Sequence, residues 1–530
     1  PSPLAGESHW ENLMMSSADS TAAAHSAPLL SPDDDSNRRL LQQVHPSNWP
    51  LPQAPAVYDL VVIGGGTAGL VSAAGAAGLG AKVALIERSL LGGDCLNFGC
   101  VPSKALLSVA RRIAAIRDAA ELGIRDAAGT VDFPAVMERL RRLRADLSPH
   151  DSAARFQSLG VDVWFGQAQF ADTRAVLVNG QRLKFRRAII AAGSEPVIPA
   201  VPGLDAAGFL TNRTLYSLTE LPPRLLVIGG GPVGVEMAQA FARFGSQVTL
   251  VQRAPRLLPR EAPEASELLQ QQLVERDGIR LLLQATPVSV AVQNNVRQVV
   301  VQTGTQTVTI DCDRILVAAG RRPPLQDLQL PAAGIQVNAD GQLLLNDRLQ
   351  TSNTAVYAAG DVGSAHQLTH AADFLARTAL QNSLFAGRAK ASRLVIPRCT
   401  YCSPEIAAVG LTDQQAQQQS ADVLTLTGPL SGNDRSILDG STAGFVRLYA
   451  ARRNGRILGA TIVSEHAGEL ISEVSVAMAG GVTIGRLASV IHPYPTVADA
   501  IRRLGDQYNR QRLTPLVKRI LRLWLRWRIW

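Results

Sequence analysis

Residues 58–87 read YDLVVIGGGTAGLVSAAGAAGLGAKVALIE, and residues 224–252 read RLLVIGGGPVGVEMAQAFARFGSQVTLVQ. Both follow one plan: a short apolar strand, a glycine turn, a helix of small residues and a second apolar strand. Gly64, Gly66 and Gly69 form G-x-G-x-x-G in the first copy, and Gly229, Gly231 and Gly234 repeat it in the second. Such a turn needs glycine for its backbone angles, for close approach of a pyrophosphate and for tight helix contact, while the helix amino terminus favours the anion. Each copy therefore reads as a βαβ nucleotide unit. Residues 60–81 carry no charge and are long enough to cross a bilayer, but glycines at nucleotide-binding spacing argue against a membrane span.

The two copies differ at one decisive place. Glu87 lies 23 residues after Gly64, at the end of the second strand, where a carboxylate can accept hydrogen bonds from a ribose. The residue 23 positions after Gly229 is Gln252, followed directly by Arg253 and closely by Arg256. Losing the acid removes repulsion toward a 2′-phosphate, and arginine supplies a charge-assisted partner for it, so the second unit is expected to take NADPH over NADH.

Working outward, RAIIAAG (187–193) and RILVAAG (314–320) read as buried strands ending in Gly193 and Gly320 that return the chain between nucleotide domains. A third such element, AVYAAGD (355–361), ends in Asp361. Just after the first unit, residues 92–104 read GGDCLNFGCVPSK. Cys95 and Cys100 are spaced C-x4-C, and Pro102 opens what reads as a helix, whose amino terminus stabilises a thiolate. Two such thiols can cycle between dithiol and disulfide. A pair of buried structural thiols is the bland alternative, which the adjoining nucleotide unit disfavours.

With these motifs in place, the chain from about residue 58 to 509 resembles the class I pyridine nucleotide-disulfide oxidoreductases, the family of glutathione reductase, dihydrolipoamide dehydrogenase and mercuric reductase. The resemblance implies FAD in the first unit, with Asp361 on the ribityl side, and a homodimer whose active site combines two chains. It also implies that Cys95 meets the outside substrate and Cys100 faces the flavin, where thiolate-to-flavin charge transfer marks the two-electron-reduced state. Lys104 and Glu236 resemble the pair near the flavin ring in dihydrolipoamide dehydrogenase. The implied fold is α/β, with two Rossmann-like dinucleotide-binding domains and a C-terminal α+β dimerisation domain. The expected layout is a flexible leader (1–56), an FAD domain in two parts (57–205 and 322–390), an NAD(P)H domain (206–321), a dimerisation domain (391–509) and a basic aromatic tail (510–530).

The closing motif, IHPYPTVADA (491–500), departs from the disulfide-reducing relatives, which carry a histidine before Pro-Thr and a glutamate five residues on, an acid/base dyad. Here Tyr494 and Asp499 occupy those places, and His492 lies two residues earlier. A phenol with an ordinary pKa of about 10 is a poor base at neutral pH, so exchange with glutathione or lipoamide disulfide is expected to suffer unless His492 substitutes. Mercuric reductase is similar in having tyrosine here, and a soft metal ion held at Cys95 and Cys100 needs thiolates more than a proton shuttle. Yet no vicinal cysteine pair closes the sequence and no cysteine precedes Cys95. A mercuric-ion reductase and a reductase of a small disulfide or quinone both stay open, as does a membrane-docked redox sensor.

Composition is that of a folded protein: of 530 residues, 46% are hydrophobic and 18% charged, the balance of a soluble globular protein and not of a disordered one. The formal charge is +8, but seven basic residues and no acid lie between Tyr508 and the end, and taking seven from +8 leaves +1. The basicity belongs to the tail, so a nucleic-acid surface is not expected. Five cysteines are too few for a secreted disulfide framework, which with the lack of a signal-peptide pattern points to the cytoplasm. Cys399 and Cys402 form C-x2-C without a second pair, so structural thiols are favoured over zinc, and Cys312 reads as core. In LVKRILRLWLRWRIW (516–530), Lys518, Arg519, Arg522 and Arg526 share one helical face and Ile520, Leu523, Trp524 and Trp527 the other, a pattern that suits either a membrane interface or packing on the dimer.

Overall fold

The two quoted repeats fold as two copies of one parallel sheet. In the computed structural model, which describes residues 30–385 and 387–528, Tyr58–Ile63 pairs in parallel with Val83–Glu87 on one side and Gln181–Ile190 on the other. Val161–Phe165 extends the first edge and Val356–Ala358 pairs with Gln181–Ile190, both in parallel. The second sheet repeats the order: Arg224–Ile228 sits between Gln247–Gln252 and Arg314–Val317, with Arg280–Leu283 outermost, all parallel. Leu60, Val61, Val62, Leu226 and Val227 are completely buried, which is why these strands read as unbroken apolar runs instead of alternating ones. After the second sheet the chain comes back to the first, where Val356–Ala358 joins Gln181–Ile190.

The closing unit is a five-stranded antiparallel sheet ordered Pro397–Thr400, Glu405–Gly410, Ile457–Ser464, Phe445–Ala451 and Val423–Pro429. The helices Ala467–Ala479 and Asp499–Gln511 pack on it through Ile471, Val474, Ile501 and Leu504. One apolar cluster joins all three units: Leu106 and Leu107 of the helix Cys100–Arg117, Val235 and Phe241 of the helix Pro232–Phe244, and Cys402, Ile406 and Phe445 of the closing unit. The cysteine-bearing helix is thereby clamped between the second nucleotide unit and the closing sheet.

The leader needs a correction. Residues 1–29 lie outside the described residues, but Asp35–Val44 is a helix with Asp34 as its N-cap, accepting from the Asn37 N–H at 2.8 Å, and it buries Asn37, Leu40 and Val44. The Trp49 indole donates to the Val163 carbonyl at 3.0 Å. Composition suggested a flexible segment, but an amphipathic helix finds stability by burying its apolar stripe on another helix, here Phe133–Leu147, whose Arg141 pairs with Asp34. At the other end, Pro515–Arg528 is a helix with no buried residue; the last two residues of the expected tail lie outside the described ones.

Candidate active site

Both glycine turns are built by the same close contacts. A Cβ on Gly64 would lie 2.3 Å from the Ala191 carbonyl oxygen, and one on Gly69 would lie 1.7 Å from that of Gly64. Gly229 and Gly234 repeat this with Ala318 and Gly229, at 2.2 and 1.8 Å. The middle glycines differ. A Cβ on Gly66 would meet only the Gly93 Cα, at 3.7 Å, and one on Gly231 would meet nothing within 4 Å. Open space thus lies before the amino termini of Thr67–Gly78 and Pro232–Phe244, where the backbone must admit a pyrophosphate. The residues fit a dinucleotide in each unit.

Glu87 is buried, with Oε2 accepting from the Gly65 N–H and Oε1 from the Ser89 N–H, both at 2.6 Å. Burial pushes its carboxyl above the usual range, and each oxygen keeps a lone pair for a ribose hydroxyl. In the second unit the Gln252 Oε1 accepts from the Gly230 N–H at 3.2 Å, the same contact with an uncharged acceptor. Arg253 is exposed; Arg256 donates from Nη2 to the Pro259 carbonyl at 3.0 Å, while its buried Nε has no partner among the described residues. Gly193 and Gly320 have φ of +69° and +128°, with nothing near a Cβ at either. Asp361 opens the turn Asp361–Gly363, accepts from the Ser194 hydroxyl at 2.6 Å, and is pushed up by burial.

The cysteines sit where these parts converge. The loop before them is fastened to the first glycine turn, with the Gly92 N–H donating to the Gly65 carbonyl at 2.9 Å. Cys95 lies in the helix Gly93–Phe98 and Cys100 is the first residue of Cys100–Arg117, so one thiol faces the other across a helix start. Both are free thiols. Cys100 is pushed down from 9.0 to about 6, first by the hydrogen bond from Cys95, then by Thr369 and the charge of Lys104. Its sulfur lies 3.2 Å from the Thr369 Oγ1. Cys95 is pushed up, because it donates to that thiolate and is itself desolvated.

Lys104 pairs with Glu236 at 3.0 Å, and its Nζ lies 4.5 Å from the centroid of the Tyr401 ring. Glu236 is buried and accepts from the Tyr401 N–H at 2.8 Å. Thr369, Tyr401 and Ser194 were not singled out from the sequence; they lie 100 or more residues from what they hold, with no local motif to mark them.

The closing motif is placed apart. Tyr494 is 74% exposed and donates to Asp434 at 3.0 Å, which raises the phenol further above its ordinary value. Asp499 accepts from Arg502 at 2.7 Å and from Arg503 at 2.5 Å, so the two residues in the dyad's positions are not hydrogen-bonded to each other. His492 is bound to Glu473 through Nε2 at 2.9 Å and to the Val490 carbonyl through Nδ1 at 3.0 Å. All three line a cavity of about 380 Å³ with Arg502 and Arg503. Among the described residues of this one chain, Tyr494, Asp499 and His492 make no hydrogen bond or ion pair with the cysteines, Lys104 or Glu236. Of the remaining cysteines, Cys312 is core, Cys402 is fully buried and Cys399 is half-buried in a strand.

Residues 58–374 match the family described as pyridine nucleotide-disulphide oxidoreductase, and residues 396–504 match its dimerisation domain. The chain belongs to this family. Pyridine nucleotide-disulphide oxidoreductases of this type are FAD-dependent and use a pyridine nucleotide, so the chain is an oxidoreductase, and its dimerisation domain supports a homodimer. A mercuric reductase of Lysinibacillus sphaericus is 36% identical over 86% of this chain and 83% of its own length. A dihydrolipoyl dehydrogenase of Bacillus subtilis is 32% identical over 84% and 95%. Among solved structures, the HOCl-induced flavoprotein disulfide reductase RclA from Escherichia coli is similar with a TM-score of 0.74 at 28% identity, over 85% of this chain and 99% of that one.

Proposed function

We propose that the protein passes two electrons from NADPH, by way of FAD and the Cys95–Cys100 pair, to a thiophilic metal ion, with mercuric ion as the lead acceptor. The observation that carries this reading is a low-pKa thiolate without an acid/base dyad: Cys100 is ionised at neutral pH, while Tyr494 is bound to Asp434 and Asp499 to two arginines. Reduction of a small disulfide must protonate a leaving thiolate, a task for a histidine. A soft metal ion instead takes both sulfurs as ligands, releasing the Cys95 proton. The likeness to mercuric reductases supports the choice.

Gly64, Gly66, Gly69, Glu87, Gly193 and Asp361 are the residues to hold FAD, which when bound supplies reversible two-electron chemistry between a nicotinamide and a disulfide. Gly229, Gly231, Gly234, Arg253, Arg256 and Gly320 would hold NADPH, Gln252 leaving the 2′-phosphate unopposed. Opening the Cys95–Cys100 disulfide takes two electrons and one proton when Cys100 is left as thiolate and Cys95 as thiol. Lys104, Thr369 and the Cys95 S–H hold that thiolate, and Glu236 holds Lys104. Cys95, the neutral partner, is then the thiol that meets the acceptor.

A second reading, reduction of a small disulfide or quinone, is favoured by the His492–Glu473 pair, a histidine and carboxylate already hydrogen-bonded beside Tyr494. NADPH oxidation measured with mercuric ion, cupric ion, glutathione disulfide, lipoamide and quinones, against a Cys95→Ser control, separates the two. Fast turnover of a disulfide that His492→Gln abolishes would replace the metal-ion reading. Cupric ion is included because RclA is also known as a Cu(II) complex.

A further inference from the structure

We propose that the helix Pro515–Arg528 docks the enzyme on an anionic lipid surface. The helix before it, Asp499–Gln511, buries Ala500, Ile501, Leu504 and Tyr508, whereas Pro515–Arg528 buries nothing. Thr514 starts it, accepting from the Val517 N–H at 3.3 Å. Leu516, Ile520, Leu523 and Trp527 are 66, 56, 58 and 78% exposed, far more apolar surface than an ordinary solvated helix leaves uncovered.

The two faces are segregated. At about 100° per residue, Lys518, Arg519, Arg522 and Arg526 fall in an arc of roughly 100°, while Leu516, Val517, Ile520, Leu521, Leu523, Trp524, Leu525 and Trp527 fill the roughly 200° opposite. Arg528 lies within the apolar arc, its guanidinium 5.0 Å from the Trp524 ring centroid, where a long side chain can reach toward a polar layer. Fourteen residues make about 21 Å of helix, short of a bilayer core, and no helix among the described residues is long and apolar enough to cross a membrane. The arrangement is that of a helix lying in the headgroup plane, with tryptophans at the boundary and cations outward.

Charge selects the occupant. No acid lies between Tyr508 and the end of the sequence, so the whole segment complements an anionic surface. A cavity of about 580 Å³ on the preceding helix is lined by Arg503, Gln507, Arg510 and Gln511 and offers no acid to the basic helix. The enzyme would then work at a membrane surface with its redox site outside the lipid.

The test is flotation of the FAD-loaded full chain with phosphatidylcholine vesicles, with and without phosphatidylglycerol. The protein should float with the anionic vesicles and stay behind with the neutral ones. Arg519→Gln with Arg522→Gln should weaken binding about thirtyfold, two basic contacts being lost, and Leu523→Glu with Trp527→Glu should abolish it, while NADPH oxidation stays at the parent rate in both. No flotation, equal flotation on neutral lipid, or parental binding by the second double variant would overturn the proposal. So would a fall in oligomer mass by light scattering in that variant, which would seat this face on a second copy.

Discussion

Replacing Cys95 by serine or by alanine should separate hydrogen bonding from mere proximity at Cys100. The largest influence holding Cys100 near 6 is the hydrogen bond from Cys95, ahead of Thr369 and Lys104. Serine keeps a donor at that place and alanine removes it. A midpoint near 6 leaves roughly nine-tenths of the group ionised at pH 7, against about one-hundredth for a thiol near 9. Losing the donor should raise the midpoint by about one to two units and cut the thiolate at pH 7 about two- to tenfold, the charge of Lys104 retaining the rest. The sign follows from the depressed value: thiolate is present above the midpoint and lost as pH falls through it. Thiolate ultraviolet absorbance, read against Cys100→Ser, is the assay. It is selective because burial pushes Cys312 up to about 12 and raises Cys399 and Cys402 as well, leaving Cys100 the thiol that ionises near neutrality. The reasoning fails if serine and alanine variants titrate together, or if both stay near 6.

Gly66→Ala should fold and lose flavin, since the added methyl meets only ordinary contact, whereas Gly69→Ala should fail to fold because its Cβ would lie 1.7 Å from a carbonyl oxygen; thermal melting and flavin content of the purified variants read both. Gln252→Glu with Arg253→Ala should raise KM for NADPH and lower it for NADH, and an unchanged KM ratio would remove the case for the phosphorylated nucleotide. Asn37→Ala strips a partner from Arg144, which is 3% exposed, and should cost about 1–3 kcal/mol, seen as earlier flavin release on heating.

How much of this was legible from sequence depends on how local each contact is. The glycine turns were, because the first and third glycines answer a clash within their own βαβ unit or with the adjoining strand, and the middle one keeps open the space before the helix. The Glu87 and Gln252 contrast was too, since equal spacing from the first glycine places both side chains on the same backbone N–H of their turns. The leader helix had a signal that its composition masked: Asp34 as cap, then Leu40, Leu41 and Val44 at helical spacing. What no spacing reveals is its attachment, where Arg144 donates to the Asn37 side chain at 2.5 Å and to the Asn97 carbonyl at 2.8 Å, joining the leader to the cysteine helix across 107 and 47 residues. The ties of Tyr494 to Asp434 and of His492 to Glu473 were equally hidden, being made between separate elements of the closing unit.

The two halves of the site stand in different conditions, and this bears on where an acceptor binds. The cysteine half is finished within one chain: Cys95, Cys100, Lys104, Glu236 and Thr369 already hold one another through hydrogen bonds and an ion pair. The other half is a loop that faces outward. Ile491 is 95% exposed and Tyr494 74%, beside Val476 at 72% on the neighbouring helix. Apolar and aromatic side chains so exposed at one edge of a dimerisation domain mark a surface that a second subunit covers. Because no polar contact among the described residues of the chain links Tyr494 or His492 to the thiols, we propose that their chemistry reaches a cysteine pair across that interface. On that proposal an acceptor lying between chains would be approached by Cys95 from one subunit and by the Tyr494 loop from the other, and a mixed dimer carrying a Tyr494 substitution in one subunit and Cys95→Ser in the other should keep one intact site, which its rate of NADPH oxidation would read.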